Sequence, residues 1–231
     1  MNIQDYILYE DQHLIVCQKE AGMPVQTARM SQIDMESALK SYLMTKQSMD
    51  QGKGAVHGGK KDVHHSVQQQ KKPPYLAVIH RLDQPVRGVL VFAKTPFAAK
   101  ALSAQVTNHT IGKYYLAQID GELINEEGTL EDYLLKDART NTSKVVKEGT
   151  AGSKKAILHY KKRDAHTLEI ELITGRHHQI RVQLAHAGMP LVCDTKYNPK
   201  AAHGRLGLCA YRLVFLHPKT GKKMEFYYKE E

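Results

Sequence analysis

The sequence predicts an α+β chain with many strands and few helices, and three observations carry that expectation. Short apolar runs, β-branched or aromatic in part and bounded by breakers, stand at residues 14–17, 76–79, 89–93 and 168–172. Helical patterning is confined to residues 34–44, the segment opened by Thr95-Pro96, and residues 178–186. Near the C-terminus, residues 212–217 and 223–228 flank Pro218-Lys219-Thr220-Gly221 and read as a β-hairpin.

Taken in order, a strand near residues 14–17 follows an Asp-Gln turn and is broken by Ala21-Gly22-Met23-Pro24. Residues 34–44 place Met35, Ala38, Leu39, Tyr42 and Leu43 on one helical face, with Asp34 as the cap. Residues 48–72 are rich in Gly, Gln, His and Lys and nearly free of large apolar side chains, the composition of a mobile surface loop. Thr95-Pro96 starts a helix with proline at its first position, followed by the stripe Ala98, Ala101, Leu102 and Val106. Tyr115, Ala117 and Ile119 alternate as a strand, and Leu168, Ile170 and Leu172 alternate with Glu169 and Glu171 as a strand with one wet face. A helix from about His178 to His186 packs Ile180, Leu184 and Ala187 inward and stops at Gly188. Arg181 falls at the edge of its buried face, with His178 one turn earlier.

The bulk properties set limits. A chain of 231 residues fits one large or two small domains, and 42% apolar residues can supply a core. Thirty-three Lys and Arg against 24 Asp and Glu give +9, which attracts polyanions but is also compatible with a solvated surface. Cys17, Cys193 and Cys209 are widely spaced without Cys-x-x-Cys, so neither a zinc knuckle nor a redox pair is signalled. The polar start, with Asn2, Gln4 and Asp5, reads as no signal peptide, and no apolar span is long enough for a membrane helix, so reduced thiols in the cytoplasm are expected. Thirteen histidines invite a metal reading, that of a metal-dependent hydrolase. His57, His64 and His65 lie in the polar loop with no cysteine near, and His177-His178 lacks the His-Glu-x-x-His spacing, so solvated or supporting histidines are favoured.

The chain is organised around residues 75–95, Tyr-Leu-Ala-Val-Ile-His-Arg-Leu-Asp-Gln-Pro-Val-Arg-Gly-Val-Leu-Val-Phe-Ala-Lys-Thr. Two apolar runs flank a polar segment, so His80, Arg81, Asp83 and Arg87 sit where a strand gives way to a loop, the usual seat of reactive groups. A second stretch, Leu172-Ile-Thr-Gly-Arg-His-His-Gln-Ile-Arg-Val-Gln-Leu-Ala-His-Ala-Gly188, carries the other polar concentration.

Together these stretches resemble the RluA-type RNA pseudouridine synthases. That family's first motif, His-Arg-Leu-Asp, two variable residues, then Thr-Ser-Gly, stands here as His80-Arg81-Leu82-Asp83-Gln84-Pro85-Val86-Arg87-Gly88. Its later motif, Gly-Arg-Thr-His-Gln-Ile-Arg-Val-His, stands as Gly175-Arg176-His177-His178-Gln179-Ile180-Arg181-Val182-Gln183. Lys113-Tyr114-Tyr115-Leu116-Ala117 is similar to the family's Lys-x-Tyr-x-Ala, and the opening through Ala21-Gly22 to its Lys-Pro-Ala-Gly loop, with Glu20 for proline. The resemblance covers nearly the whole chain.

It implies the pseudouridine synthase fold: a mixed, mainly antiparallel, bent sheet with flanking helices and a central catalytic cleft. The residue pattern alone reaches only a mixed α+β chain. One catalytic domain over residues 1–231 is expected, with no S4 RNA-binding module in front. The implied activity is isomerisation of uridines in structured RNA, ribosomal or transfer, with the base flipped from its stack. No cofactor or metal is required. RNA is the partner, with no membrane contact, and the expected state is a monomer. The resemblance assigns catalysis to Asp83, Tyr115 and Arg181, RNA contacts to Arg81, Arg87, Lys113 and Arg176, and support of the site to His80 and Gln179. Val86-Arg87 in place of Thr-Ser removes two hydroxyls and introduces a large cation, which bears on loop geometry and substrate. The alternative is a non-catalytic RNA-binding or RNA-folding protein that retains the fold, a reading that the retained Asp83 opposes.

Overall fold

The computed structural model describes residues 2–29, 31–52, 73–121 and 125–230. The strands, in chain order, are β1 (Ile7–Glu10), β2 (Leu14–Lys19), β3 (Ala77–Val78), β4 (Arg87–Ala93), β5 (Gly112–Gln118), β6 (Glu127–Asp137), β7 (Thr142–Val146), β8 (Lys154–Lys162), β9 (Thr167–Leu172), β10 (Leu208–Leu216) and β11 (Lys223–Tyr227). They form one sheet in the order β1-β2-β4-β10-β5-β9-β8-β6-β7, with β11 also on β10 and β3 on β4. The β4–β10 pairing is parallel, and the other strand pairs are antiparallel.

That parallel seam joins two halves of the sheet through Cys209 opposite Arg87 and Ala210 opposite Gly88. Gly88 has φ +146°, and a Cβ there would meet the Ala210 Cβ at 2.4 Å, so only glycine lets the two strands meet. The loop entering β4 carries Asp83, and the start of β10 carries Leu208; both line the cleft that opens at this seam.

Helices cover both faces. α1 (Met35–Gly52) and α3 (Gln179–His186) contribute Met35, Leu39, Leu43, Ile180 and Leu184 to the larger core, which includes Tyr115 and Ala117 of β5. α2 (Pro96–Thr107) buries Ala98 and Leu102 on the opposite face against Leu213 and Phe215. Alternation along β5 follows the two-residue period: Lys113, Tyr115 and Ala117 are buried, and their neighbours are more open.

The caps explain the helix starts. Asp34 Oδ1 accepts from Ser37 N–H at 2.8 Å, and Ser37 Oγ accepts from Asp34 N–H at 3.2 Å, a reciprocal capping arrangement. Thr95 Oγ1 accepts from Ala98 N–H at 3.2 Å, with Pro96 at the first turn. α3 ends in a Schellman turn, Met189 N–H to Leu184 O at 2.9 Å and Gly188 N–H to Ala185 O at 3.2 Å, with Gly188 at φ +78°.

Three expectations need correction. The strand expected at residues 76–79 is only Ala77–Val78 and half-buried, because the chain leaves β4 after Val78 pairs with Phe92 and turns into the cleft. α1 runs on through Gly52 rather than stopping near Met44, since helix-forming Lys46 and Gln47 extend it after the apolar stripe ends. The rest of the loop expected at 48–72, including His57, His64 and His65, lies outside the described residues. α3 begins at Gln179, and Arg181 is in the interior, not at an edge: every residue from Gln179 to Leu184 is buried. No described helix is long and apolar enough to cross a membrane.

Candidate active site

A cavity of about 90 Å³ at the seam is lined by Arg81, Asp83, Tyr115, Arg176, His178 and Arg181, with Leu82, Val86 and Leu208 among its apolar walls. Residues far apart in sequence meet there because the β3–β4 loop, β5 and the start of α3 all end at the same place.

Asp83 is partly exposed, and its Oδ2 lies 3.4 Å from Arg181 Nη1 and 3.7 Å from His178 Nε2. Arg181 is itself held by a fully buried carboxylate: its Nε and Nη2 donate to Asp194 at 2.9 and 2.7 Å, a bidentate pair. Burial works against the Arg181 charge, but the Asp194 and Asp83 carboxylates outweigh it and keep its pKa raised. The guanidinium is thus a fixed cation with one face given to Asp194 and the remaining nitrogen aimed at Asp83.

His178 occupies a left-handed backbone position, φ 52°, as the N-cap of α3 without a side-chain capping bond. Its ring is freed to serve the cleft. Tyr197 Oη accepts from Ser143 N–H at 2.7 Å and sits 2.8 Å from His178 Nδ1. The other ring nitrogen, Nε2, faces Asp83 at 3.7 Å. Burial and the Arg181 charge pull the His178 pKa down to about 3, so the ring is neutral. His177 stacks on it at 3.8 Å between centroids.

Tyr115 is buried, and its pKa is raised by burial and by the Asp83 charge, so it stays a phenol. His80 accepts from Val91 N–H at 3.3 Å through Nε2, and burial lowers its pKa to about 3. It therefore braces the Asp83 loop against β4 as a neutral ring. Gln179 Oε1 accepts from Thr174 Oγ1 at 2.8 Å and Arg176 N–H at 2.9 Å, fixing the turn into α3.

Among the expected RNA contacts, Arg81 is exposed at the cleft. Arg176 lines it while donating to Lys155 O at 2.8 Å. Lys113 is buried beside Gly175, outside the cleft lining, with its pKa lowered to about 8 by burial and by Arg176. Arg87 is not brought to the cleft. Val86 points there, and the next side chain along β4 faces the other side of the sheet.

Pattern reading missed four residues. Lys19 is fully buried and donates to Glu20 O, Met23 O and Gln84 O at 3.0, 2.8 and 3.1 Å. It ties the N-terminal loop to the residue after Asp83, and burial lowers its pKa to about 8 against the Asp83 and Glu20 charges. Its signal was the lysine that opens the Lys-Glu-Ala-Gly loop. Asp194, Tyr197 and Ser143 gave no comparable signal, because their partners become neighbours only through the tertiary fold.

A sequence model of a family described as RNA pseudouridylate synthase matches residues 13–186. The chain belongs to this family. An uncharacterized RNA pseudouridine synthase of Bacillus subtilis is 31% identical over 227 residues, covering 95% of this chain and 67% of the relative. Ribosomal large subunit pseudouridine synthase D of Zymomonas mobilis is 32% identical over 235 residues, covering 95% and 67%. Ribosomal large subunit pseudouridine synthase C of Vibrio vulnificus is 29% identical over 231 residues, covering 96% and 65%, so the chain spans about two thirds of these relatives. Among solved structures, Human RNA Pseudouridylate Synthase Domain Containing 4 superposes with TM-score 0.71 at 20% identity, covering 98% of this chain and 89% of that one, and shares the fold. The family is of the RluA type, and its chemistry is the isomerisation of RNA uridine to pseudouridine.

Proposed function

We propose that this chain isomerises a uridine of ribosomal RNA, with Asp83 as the reacting carboxylate. The observation that carries the reading is Asp83 at the seam cleft, beside the fixed Arg181 and facing Tyr115. The reaction breaks the bond between uracil N1 and the sugar, turns the base, and joins C5 to the same sugar carbon, C5 losing its proton and N1 ending protonated. A carboxylate serves as nucleophile or base at that centre. Arg181 balances its charge and fixes its direction, and the neutral His178 ring stands beside it. Tyr115 lies against the flipped uracil as a protonated phenol. Arg81 at the cleft mouth fills the space the base leaves, at a cost of a few kcal/mol for flipping. Arg176 meets a phosphate beside the target. The isomerisation balances without an oxidant, reductant or phosphoryl donor, so no cofactor is assigned. Ribosomal RNA is favoured over transfer RNA by the named relatives. The reading includes action as a monomer, and a ribosomal substrate fits the cytoplasm.

Pseudouridine-specific chemical mapping of RNA from cells with and without the gene tests this. Loss of a site in large-subunit ribosomal RNA is expected. Loss confined to transfer RNA contradicts the substrate, and no loss anywhere contradicts the activity.

A further inference from the structure

On the sheet face opposite Asp83 lies a larger cavity of about 490 Å³. Leu116 and Gln118 of β5 and Thr167 of β9 form part of its wall; these alternate with Tyr115, Ala117 and Leu168, which belong to the cleft-side core. Its volume falls within the roughly 300–1,000 Å³ of small-molecule sites. Neither the isomerisation nor the motifs account for it.

Its chemistry is specific. Three tyrosines, Tyr211, Tyr227 and Tyr228, and three arginines, Arg87, Arg163 and Arg205, line it against two carboxylates, Asp164 and Glu230. Arg163 and Arg205 are exposed, and neither makes an ion pair with a described residue. Arg87 lies over the Tyr228 ring at 5.7 Å, and its Nε is shielded from solvent, with the Cys209 thiol as the guanidinium's hydrogen-bonding neighbour on that side. Its Nη2 meets Glu230 at 2.5 Å, a carboxylate 69% exposed. So exposed a partner is readily exchanged for another anion. A planar guanidinium fork suits phosphate oxygens, and tyrosine faces accept any nucleobase.

We propose that this cavity is a second ligand site that takes a nucleoside 5′-phosphate unit, its base against the tyrosines and its phosphate on Arg87 in place of Glu230. The unit comes from a single strand of RNA or from a free mononucleotide. Arg87, where the motif it resembles has serine, is what makes the site, and it acts on the face away from the chemistry. The proposal stands apart from the isomerisation and is tested with ligands that contain no uridine.

Adenosine 5′-monophosphate and a short oligoadenylate are titrated into the whole chain by calorimetry. Tyrosine fluorescence gives a second readout, because the chain has 12 tyrosines and no tryptophan. Saturable binding is expected, weakened about tenfold or more in Arg87→Ser through loss of a charge-assisted bond. Glu230→Gln, at an exposed position that leaves the fold intact, tightens it several-fold. Equal binding of both probes marks a mononucleotide site, and binding of the oligoadenylate alone marks an RNA strand. Absence of saturable binding by both probes overturns the proposal, as does affinity that neither substitution moves.

Discussion

Two arginine–carboxylate pairs on opposite faces of one sheet show what burial does to the same chemistry. Arg181 and Asp194 have side chains 5% and 0% exposed and meet at 2.7 Å. Arg87 and Glu230 are 14% and 69% exposed. In the first pair neither partner can be replaced by water, so the guanidinium is held in one direction and can orient a reacting group. In the second, one partner is solvated and exchangeable, so the guanidinium is available to an incoming anion. The difference lies in the carboxylate: Asp194 sits fully buried in the irregular stretch enclosed between α3 and β10, whereas Glu230, after β11, stands open to solvent.

Breaking the buried pair has the largest expected effect. Asp194→Ala leaves Arg181 desolvated and unpaired, a loss of about 3–5 kcal/mol of stability. Urea unfolding would show a large drop in midpoint with little change in slope, and product formation would fall with it. A shift as small as that of a surface pair would mean that Arg181 finds another partner and is not fixed by Asp194.

Lys19 sharpens the comparison on the carboxylate side of the cleft. Lys19→Met keeps an unbranched chain but removes the donor from Glu20 O and Met23 O, at about 1–3 kcal/mol for each acceptor left unsatisfied, and one of two donors from Gln84 O, which keeps Gly22 N–H at 2.8 Å. Because Gln84 O is one of the three carbonyls, loosening should reach Asp83. Single-turnover rate at saturating RNA should fall more than RNA affinity. Equal changes in both would make Lys19 a general stabiliser rather than an anchor of this loop.

The cleft histidines give a smaller effect with a defined pH window. His80 and His178 have pKa values lowered to about 3 in the folded chain, against an ordinary value near 6.5. Between those values the unfolded chain binds more protons, so their contribution is present above about pH 6.5 and is lost as pH falls toward about 3. Glu10 and Asp11, whose pKa values are lowered despite burial by hydrogen bonds to Lys46 and to the His13 backbone respectively, act in the same direction but only below about pH 4.5. Thermal midpoints should already decline between pH 6.5 and 5, and less so in His80→Asn and His178→Asn. A midpoint flat over that interval would mean these rings are not held neutral by the fold.

Smallest of all, Glu230→Gln should move stability by no more than about 1 kcal/mol, the range of a surface pair. A loss comparable to that of Asp194→Ala would erase the distinction between the two faces.

The sequence carried the parts of this account that depend on local pattern. Asp34 and Thr95 announced their helices by cap chemistry, Gly188 announced a stop, and alternation at Tyr115 and Ala117 placed a buried face on β5. The motif match named Asp83 and Arg181 but set Arg181 at the edge of its helix, because periodicity predicts apolar burial and has no means of foreseeing a buried cation neutralised by Asp194. The role of Lys19 was hidden for the same reason: its partners are backbone carbonyls from loops 65 residues apart, and such acceptors leave no trace in side-chain pattern. The motif match assigns Arg87 an RNA contact but not the face it occupies; one step along a strand sets it opposite Val86, and the register with Cys209 shows it.

The central claim is that Asp83, held by a fixed Arg181, performs the isomerisation. The most direct measurement is pseudouridine formation by Asp83→Asn on the RNA whose site is lost without the gene, with RNA binding measured alongside. Asparagine keeps the shape and lacks the anion. The account predicts no product above background in single turnover while RNA affinity stays within about threefold of the native chain, less than one charge-assisted bond would contribute. Product formation at near the native rate would contradict it.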